Sequence, residues 1–157
     1  MPDESAARAI ALRLLESQPR TRAELARAMA RRGVPADAAA AVLDRFTDVG
    51  LIDDEAFAAA WVDSRHAGKG LGRRALGDEL RRRGVDEHVV AQAVAMVSSD
   101  DERRAAAALV ERRMRTMSSL PRQTQVRRLV AMLARKGFGQ SLAMSVVLDA
   151  LGADPER

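Results

Sequence analysis

The sequence predicts an all-α protein: three tandem three-helix repeats, about nine helices in all, set in an elongated array. Composition is the first reason. Ala, Leu and Arg dominate and are strong helix formers, whereas aromatics make up 3% of the 157 residues, as Phe46, Phe57, Trp61 and Phe138, and strands are poorly supplied. An internal repeat is the second. Leu25, Met29, Arg31, Arg32, Gly33 and Val34 recur as Leu76, Leu80, Arg82, Arg83, Gly84 and Val85, then as Leu129, Leu133, Arg135, Lys136, Gly137 and Phe138, with the glycines 51 and 53 residues apart. Two apolar residues follow each Gly at a fixed distance: Val42-Leu43, Ala93-Val94 and Val146-Val147. The third reason is an acidic start, Asp3-Glu4-Ser5, Asp53-Asp54-Glu55 and Asp100-Asp101-Glu102, opening an Ala-rich helix where carboxylates oppose the positive helix N-terminus.

In the first repeat, residues 1–49, the acidic start opens a helix over 5–16. Thr21 with Glu24 reads as a capping box for 22–32, which closes on two cations and on Gly33, a residue that accepts the left-handed position beyond a helix cheaply. A helix over 36–48 follows. In the second repeat, residues 50–99, helices are expected over 54–66, 72–83 and 86–97, with Phe57 and Trp61 four apart as core residues and Gly68-Lys69-Gly70 as a flexible turn. In the third, residues 100–157, Ser99 with Glu102 reads as a second capping box for 100–117, Ser118-Ser119-Leu120-Pro121 as a flexible joint, and 124–135 and 140–151 as the closing pair. Each repeat is near the size at which one core is only marginally sufficient, so neighbours should pack on one another and offer a long surface.

Catalysis finds no foothold. The chain has no Cys, so disulfides and thiolate metal sites are excluded, and His66 and His88 fall in different places without metal-ligand spacing. Asp53, Asp54 and Glu55 read as first-turn residues opposing the helix dipole rather than as an acid–base pair. Gly68-Lys69-Gly70-Leu71-Gly72 fails as a Walker A loop, because Asp63 stands where its first Gly belongs and Gly70 where Ser or Thr is needed. No nucleophile elbow is present. Met1 to Ser5 lacks the basic opening of a signal peptide, and no apolar run is long enough to span a membrane. The expectation is a cytoplasmic, monomeric binding protein with no metal or cofactor and no membrane contact.

Charge points to the partner. Residues 1–64 hold 8 basic and 11 acidic residues, a net of −3, whereas residues 65–157 hold 18 and 11, a net of +7. The patch from Arg65 to Arg83 nets +5, and residues 103–136 carry 10 cations against the single Glu111. Such a basic portion is the footprint of phosphate or acidic-protein contact, although arginine on a helix surface also serves plain solubility. The candidate contact residues are Arg65, Lys69, Arg73, Arg74, Arg81, Arg82, Arg112, Arg113, Arg127, Arg128, Arg135 and Lys136.

With the repeat and the run Leu51-Ile52-Asp53-Asp54-Glu55-Ala56-Phe57-Ala58-Ala59-Ala60-Trp61 in view, the chain resembles the RecX family of bacterial recombination regulators. Also similar are Arg65 ahead of Gly70-Leu71-Gly72, then Leu76, Glu79 and Leu80, then Gly84-Val85; the resemblance runs from about Ala9 to Leu151. Arg73 departs from it, standing where the family commonly has Pro. The third repeat is also poorer in aromatics than the family pattern. The resemblance implies a non-enzymatic regulator that binds RecA, lodges along its filament on single-stranded DNA with possible weak direct DNA contact, and restrains ATP hydrolysis, strand exchange and coprotease activity. The alternative is a sequence-specific repressor using a helix-turn-helix within Thr21 to Asp53, with the helix over 36–48 as reader. The net negative charge of that repeat and the lack of a following β-hairpin argue against it.

Overall fold

The computed structural model describes residues 3–152, among which there are nine α-helices and no strand. They are α1 (Glu4–Ser17), α2 (Arg22–Arg31), α3 (Ala36–Asp48), α4 (Asp54–Lys69), α5 (Arg73–Arg82), α6 (Glu87–Val94), α7 (Ser99–Met114), α8 (Arg122–Arg135) and α9 (Gln140–Gly152). The outer limits expected for the first and third repeats, 1 and 157, lie outside the described residues, as do the first two residues of the Met1 to Ser5 segment.

Local chemistry sets the ends. Asp3 caps α1 by accepting from Ala6 N–H at 3.2 Å, and Thr21 forms the expected capping box, receiving Glu24 N–H at 3.1 Å while Glu24 accepts Thr21 N–H at 3.0 Å. Pro35 and Pro121 stand before α3 and α8 without a side-chain cap. Each middle helix closes in a Schellman turn. Val34, Val85 and Phe138 donate to the carbonyls of Met29, Leu80 and Leu133 at 3.1, 3.1 and 3.0 Å, across glycines with φ of +80°, +86° and +94°. The donors and acceptors are all buried apolar residues, which supplies the hydrophobic contact that usually accompanies this turn.

Several boundaries differ from expectation. α4 runs through Gly68 to Lys69 and stops only at Gly70, whose φ is +63°, so the expected turn at 68–70 is mostly helix. α6 ends at Val94 rather than 97, and α7 at Met114 rather than 117. The expected joint at 118–121 is anchored on both sides: Met117 is buried in the core beneath it, Leu120 packs partly against that core, and Gln125 Nε2 donates to Leu120 O at 2.9 Å. The second capping box is also displaced. Ser98, not Ser99, caps α7 by accepting Asp101 N–H at 3.0 Å, and Glu102 is turned to another task described below.

The described chain forms two compact units, residues 3–61 with 80–91 and residues 62–79 with 92–152, a division that falls inside α4, α5 and α6. The first unit is cored by Ala7 and Ala11 of α1, Leu25 and Met29 of α2, and Val42, Leu43 and Phe46 of α3. In the second, Ala106 and Val110 of α7, Leu129 and Leu133 of α8, and Val146 and Val147 of α9 surround Phe138. Of these, Leu25, Met29, Val42, Leu43, Leu129, Leu133, Phe138, Val146 and Val147 are positions that the repeat marks as apolar.

Each unit contains one joint between consecutive repeats, and the two joints use the same parts. In the first unit the C-terminal turn of α5 sits on the N-terminal turn of α2: Thr21 Oγ1 donates to Arg83 O at 2.7 Å, and a Cβ placed on Gly84 would lie 2.4 Å from Ala23 Cβ. In the second, the C-terminal turn of α8 sits on the start of α5. Gly72 N–H donates to Lys136 O at 2.8 Å, Arg74 N–H donates to Gly137 O at 3.1 Å, and a Cβ on Gly137 would lie 2.4 Å from Ala75 Cβ. Carbonyls at the negative end of one helix thus meet donors at the positive end of another. Carboxylates from the next repeat complete both starts: Asp54 of α4 accepts Arg22 N–H at 3.0 Å, and Glu102 of α7 accepts Arg73 N–H at 2.9 Å.

Candidate functional site

The candidate cations divide between the units: Arg81 and Arg82 lie in the first, the others in the second. Three are committed to structure. Arg65 donates from Nε to Glu79 Oε1 at 3.0 Å and from Nη2 to Oε2, a bidentate fork that raises its pKa above the usual arginine value. Arg73 donates to Val97 O from Nε at 2.9 Å and from Nη2, and lies 3.9 Å from Glu102. Arg81 grips Glu87 with two 2.7 Å bonds; that fork is the main reason the Glu87 carboxyl is held below its usual range. Within the +5 stretch from Arg65 to Arg83, these three and Arg83 therefore have partners inside the fold.

The remaining candidates, Lys69, Arg74, Arg82, Arg112, Arg113, Arg127, Arg128, Arg135 and Lys136, form no side-chain hydrogen bond or ion pair among the described residues. All are exposed except Lys136, which is half-buried. Within the second unit the joint sets Arg74 beside the Arg135-Lys136 end of α8, through the backbone bonds from Gly72 and Arg74. Arg127 and Arg128 occupy the middle of α8. This unit therefore presents unneutralised cations on α5, α7 and α8, as an anionic partner requires.

Phe57 and Trp61 are corrected. They are half-buried rather than core, stacked with centroids 5.9 Å apart and planes 17° from parallel. The Arg83 guanidinium lies over both rings, 5.1 Å from the Phe57 centroid and 4.7 Å from that of Trp61. Arg83 also pairs with Glu24, Nη2 to Oε1 at 3.1 Å. Burial pushes the Glu24 carboxyl up, but the bonds from Arg83 and from Thr21 N–H outweigh it, so the net shift is downward. Asp54 goes the other way: burial, helped by the charges of Asp86 and Asp53, raises it against the bond from Arg22 N–H.

Sequence reasoning missed four arginines of the first unit. Arg20, Arg27, Arg31 and Arg32 line one cleft with Glu24, Leu14 and Ala28. The negative total of residues 1–64 hid them, since a sum over a repeat says nothing about which face carries which sign. Among the described residues there is no group of three or more carboxylates and imidazoles placed to hold a metal ion, and no helix is long and apolar enough to cross a membrane.

Against known proteins, residues 7–46 match the RecX first three-helix domain, residues 53–94 the second and residues 100–147 the third. The chain belongs to the RecX family. Proteins named Regulatory protein RecX share 53% identity with it in Thermobifida fusca, over 94% of this chain and 80% of that one, and 49% in Streptomyces coelicolor, over 96% and 80%. The crystal structure of RecX from Lactobacillus salivarius superposes with a TM-score of 0.90 over 97% of this chain and 98% of that one at 20% identity, which shows the fold alone. RecX proteins are thus the relatives in both sequence and fold, and the three-helix repeats read from the glycine spacing are the RecX domains. Arg65 and Glu79, fourteen apart in sequence and both among the residues on which the resemblance rests, form an ion pair that fastens α4 to α5.

Proposed function

We propose that this RecX protein binds RecA and its filament on single-stranded DNA and restrains ATP hydrolysis, strand exchange and coprotease activity, acting as a cytoplasmic monomer through three repeats divided near residues 49/50 and 99/100. The observation that carries the reading is membership of the RecX family through all three domains. The cations without partners in the second unit support it, because a filament carrying DNA is a polyanion. The contact residues are Lys69, Arg74, Arg82, Arg112, Arg113, Arg127, Arg128, Arg135 and Lys136, with any direct hold on DNA weak.

The test mixes the protein with RecA, ATP and single-stranded DNA and follows ATP hydrolysis, with a RecA-free control for DNA binding. Inhibition is expected at stoichiometric protein and should weaken as salt rises. Arg127→Glu with Arg128→Glu should relieve it while the melting temperature holds, because exposed, unpaired arginines contribute little to stability. Unimpeded hydrolysis would overturn the proposal. The repressor alternative requires α3 to read DNA, yet α3 exposes Asp37, Asp44 and Asp48 beside Arg45. Sequence-dependent nanomolar binding to a duplex without RecA would nevertheless favour it.

A further inference from the structure

We infer that the cleft on α2 is a phosphate-binding site that takes the backbone of single-stranded nucleic acid. It encloses about 600 Å³ of space open to solvent, and Leu14, Arg20, Glu24, Arg27, Arg31 and Arg32 line it. Residues 24, 27 and 31 fall at helical three- and four-residue spacing and share one face of α2, while Arg20, just before the Thr21 cap, reaches the same space from the helix start.

Three of the four arginines, Arg27, Arg31 and Arg32, are not neutralised there, and of the four only Arg20 acts electrostatically on Glu24. Glu24 is the cleft's one carboxylate, and both its oxygens are taken: Oε1 by Thr21 N–H and Arg83 Nη2, Oε2 by Arg83 Nε. Arg27, Arg31 and Arg32 have no side-chain hydrogen bond or ion pair among the described residues. Arg20 donates to the Ser17 hydroxyl at 3.3 Å, and its Nε is buried without any partner. A buried guanidinium N–H left unsatisfied is costly, so an anion bound in the cleft that drew the Arg20 side chain toward it would relieve that cost.

The chemistry of the lining narrows the anion. A carboxylate satisfies one guanidinium fork, whereas a phosphate group offers oxygens on several sides and suits converging arginines. No aromatic side chain lines the cleft, so no base could stack in it, and the ligand is held by its backbone irrespective of sequence. The site lies in the first repeat, outside the residues assigned above, and its existence does not depend on whether RecA is the partner.

Two measurements on the full chain test it. In the first, inorganic phosphate is titrated while the Arg20 Nε–H resonance is followed; a saturable shift, abolished in Arg27→Ala/Arg31→Ala, is expected. In the second, a fluorescein-labelled 15-mer of thymidylate is bound in the absence of RecA. The same double variant should bind at least about tenfold more weakly, with the slope of log affinity against log salt made shallower by about 0.7 for each phosphate no longer neutralised. Arg13→Ala/Arg45→Ala, on exposed arginines outside the cleft, should bind as the parent does. An unmoved Arg20 resonance, or equal oligonucleotide affinity in parent and Arg27→Ala/Arg31→Ala, overturns the inference. So does a glutamate-rich peptide that displaces the oligonucleotide from the parent only.

Discussion

The Glu102 carboxylate accepts the first backbone N–H of α5, that of Arg73, at 2.9 Å, and the Arg73 side chain turns back to cover Val97 O. One residue therefore anchors α5 twice, at the helix's first position. Proline suits the first turn of an isolated helix, but it has no N–H to give. Arg73→Pro is accordingly expected to destabilise the protein by about 1–2 kcal/mol, as is Glu102→Ala. Because both remove the same bond, the double variant should cost clearly less than the sum in urea unfolding. Full additivity would show that the bond contributes nothing.

Glycine at the joint is limited by space as well as by backbone angle. Gly50 and Gly84 share nearly the same φ, +82° and +86°, but a Cβ on Gly50 meets nothing within 4 Å while one on Gly84 strikes Ala23 Cβ at 2.4 Å. Gly50→Ala should cost about 1 kcal/mol of strain, and Gly84→Ala a further 1–3 kcal/mol of overpacking. Equal losses in melting temperature would remove the joint as the cause.

The acid limb of stability should depend on Glu24. Its folded pKa lies below the ordinary value of 4.5, so the stability it contributes is fully present above that value and is lost as pH falls through the depressed one. Glu24→Gln should lower stability at neutral pH and flatten the decline below about pH 4.5. If parent and variant lose stability in parallel on acidification, the Glu24–Arg83 pair is not its source.

Phe57→Ala and Trp61→Ala should each cost about 1–2 kcal/mol, less than full burial would give, because both rings are half-exposed. Removing the cation by Arg83→Met should change the emission of Trp61, the chain's single tryptophan, without moving Phe57. Unaltered emission would separate Arg83 from the rings.

What the sequence discloses is whatever chemistry acts over one helical turn. Thr21 with Glu24, the three glycine-closed helix ends and the apolar pairs beyond them were legible because each partner stands within a few residues of the other. Glu102 three residues on favours Ser99 by that criterion, yet Ser98 is the cap and Glu102 is drawn across to Arg73. The cation surface was legible as charge but not as availability. Nothing near Arg65, Arg73 or Arg81 in sequence separates them from Arg74, since Val97 and Glu102 reach Arg73 only through the fold. Arg83, paired with a residue fifty-nine positions away, was equally hidden.

The two joints also constrain how such a chain can grow or shrink. Each needs a donor at the start of one middle helix, a tight glycine turn from the next repeat to occupy it, and a carboxylate from that same repeat to finish the start. Those three parts recur once per period and come from both sides of a repeat boundary. A deletion or duplication of one period keeps every part matched, while any other length leaves an amide or a carbonyl stranded. Change in length is therefore quantised: homologues of this chain should differ by whole repeats or within their loops, and grafted repeats should be accepted only when cut at equivalent residues.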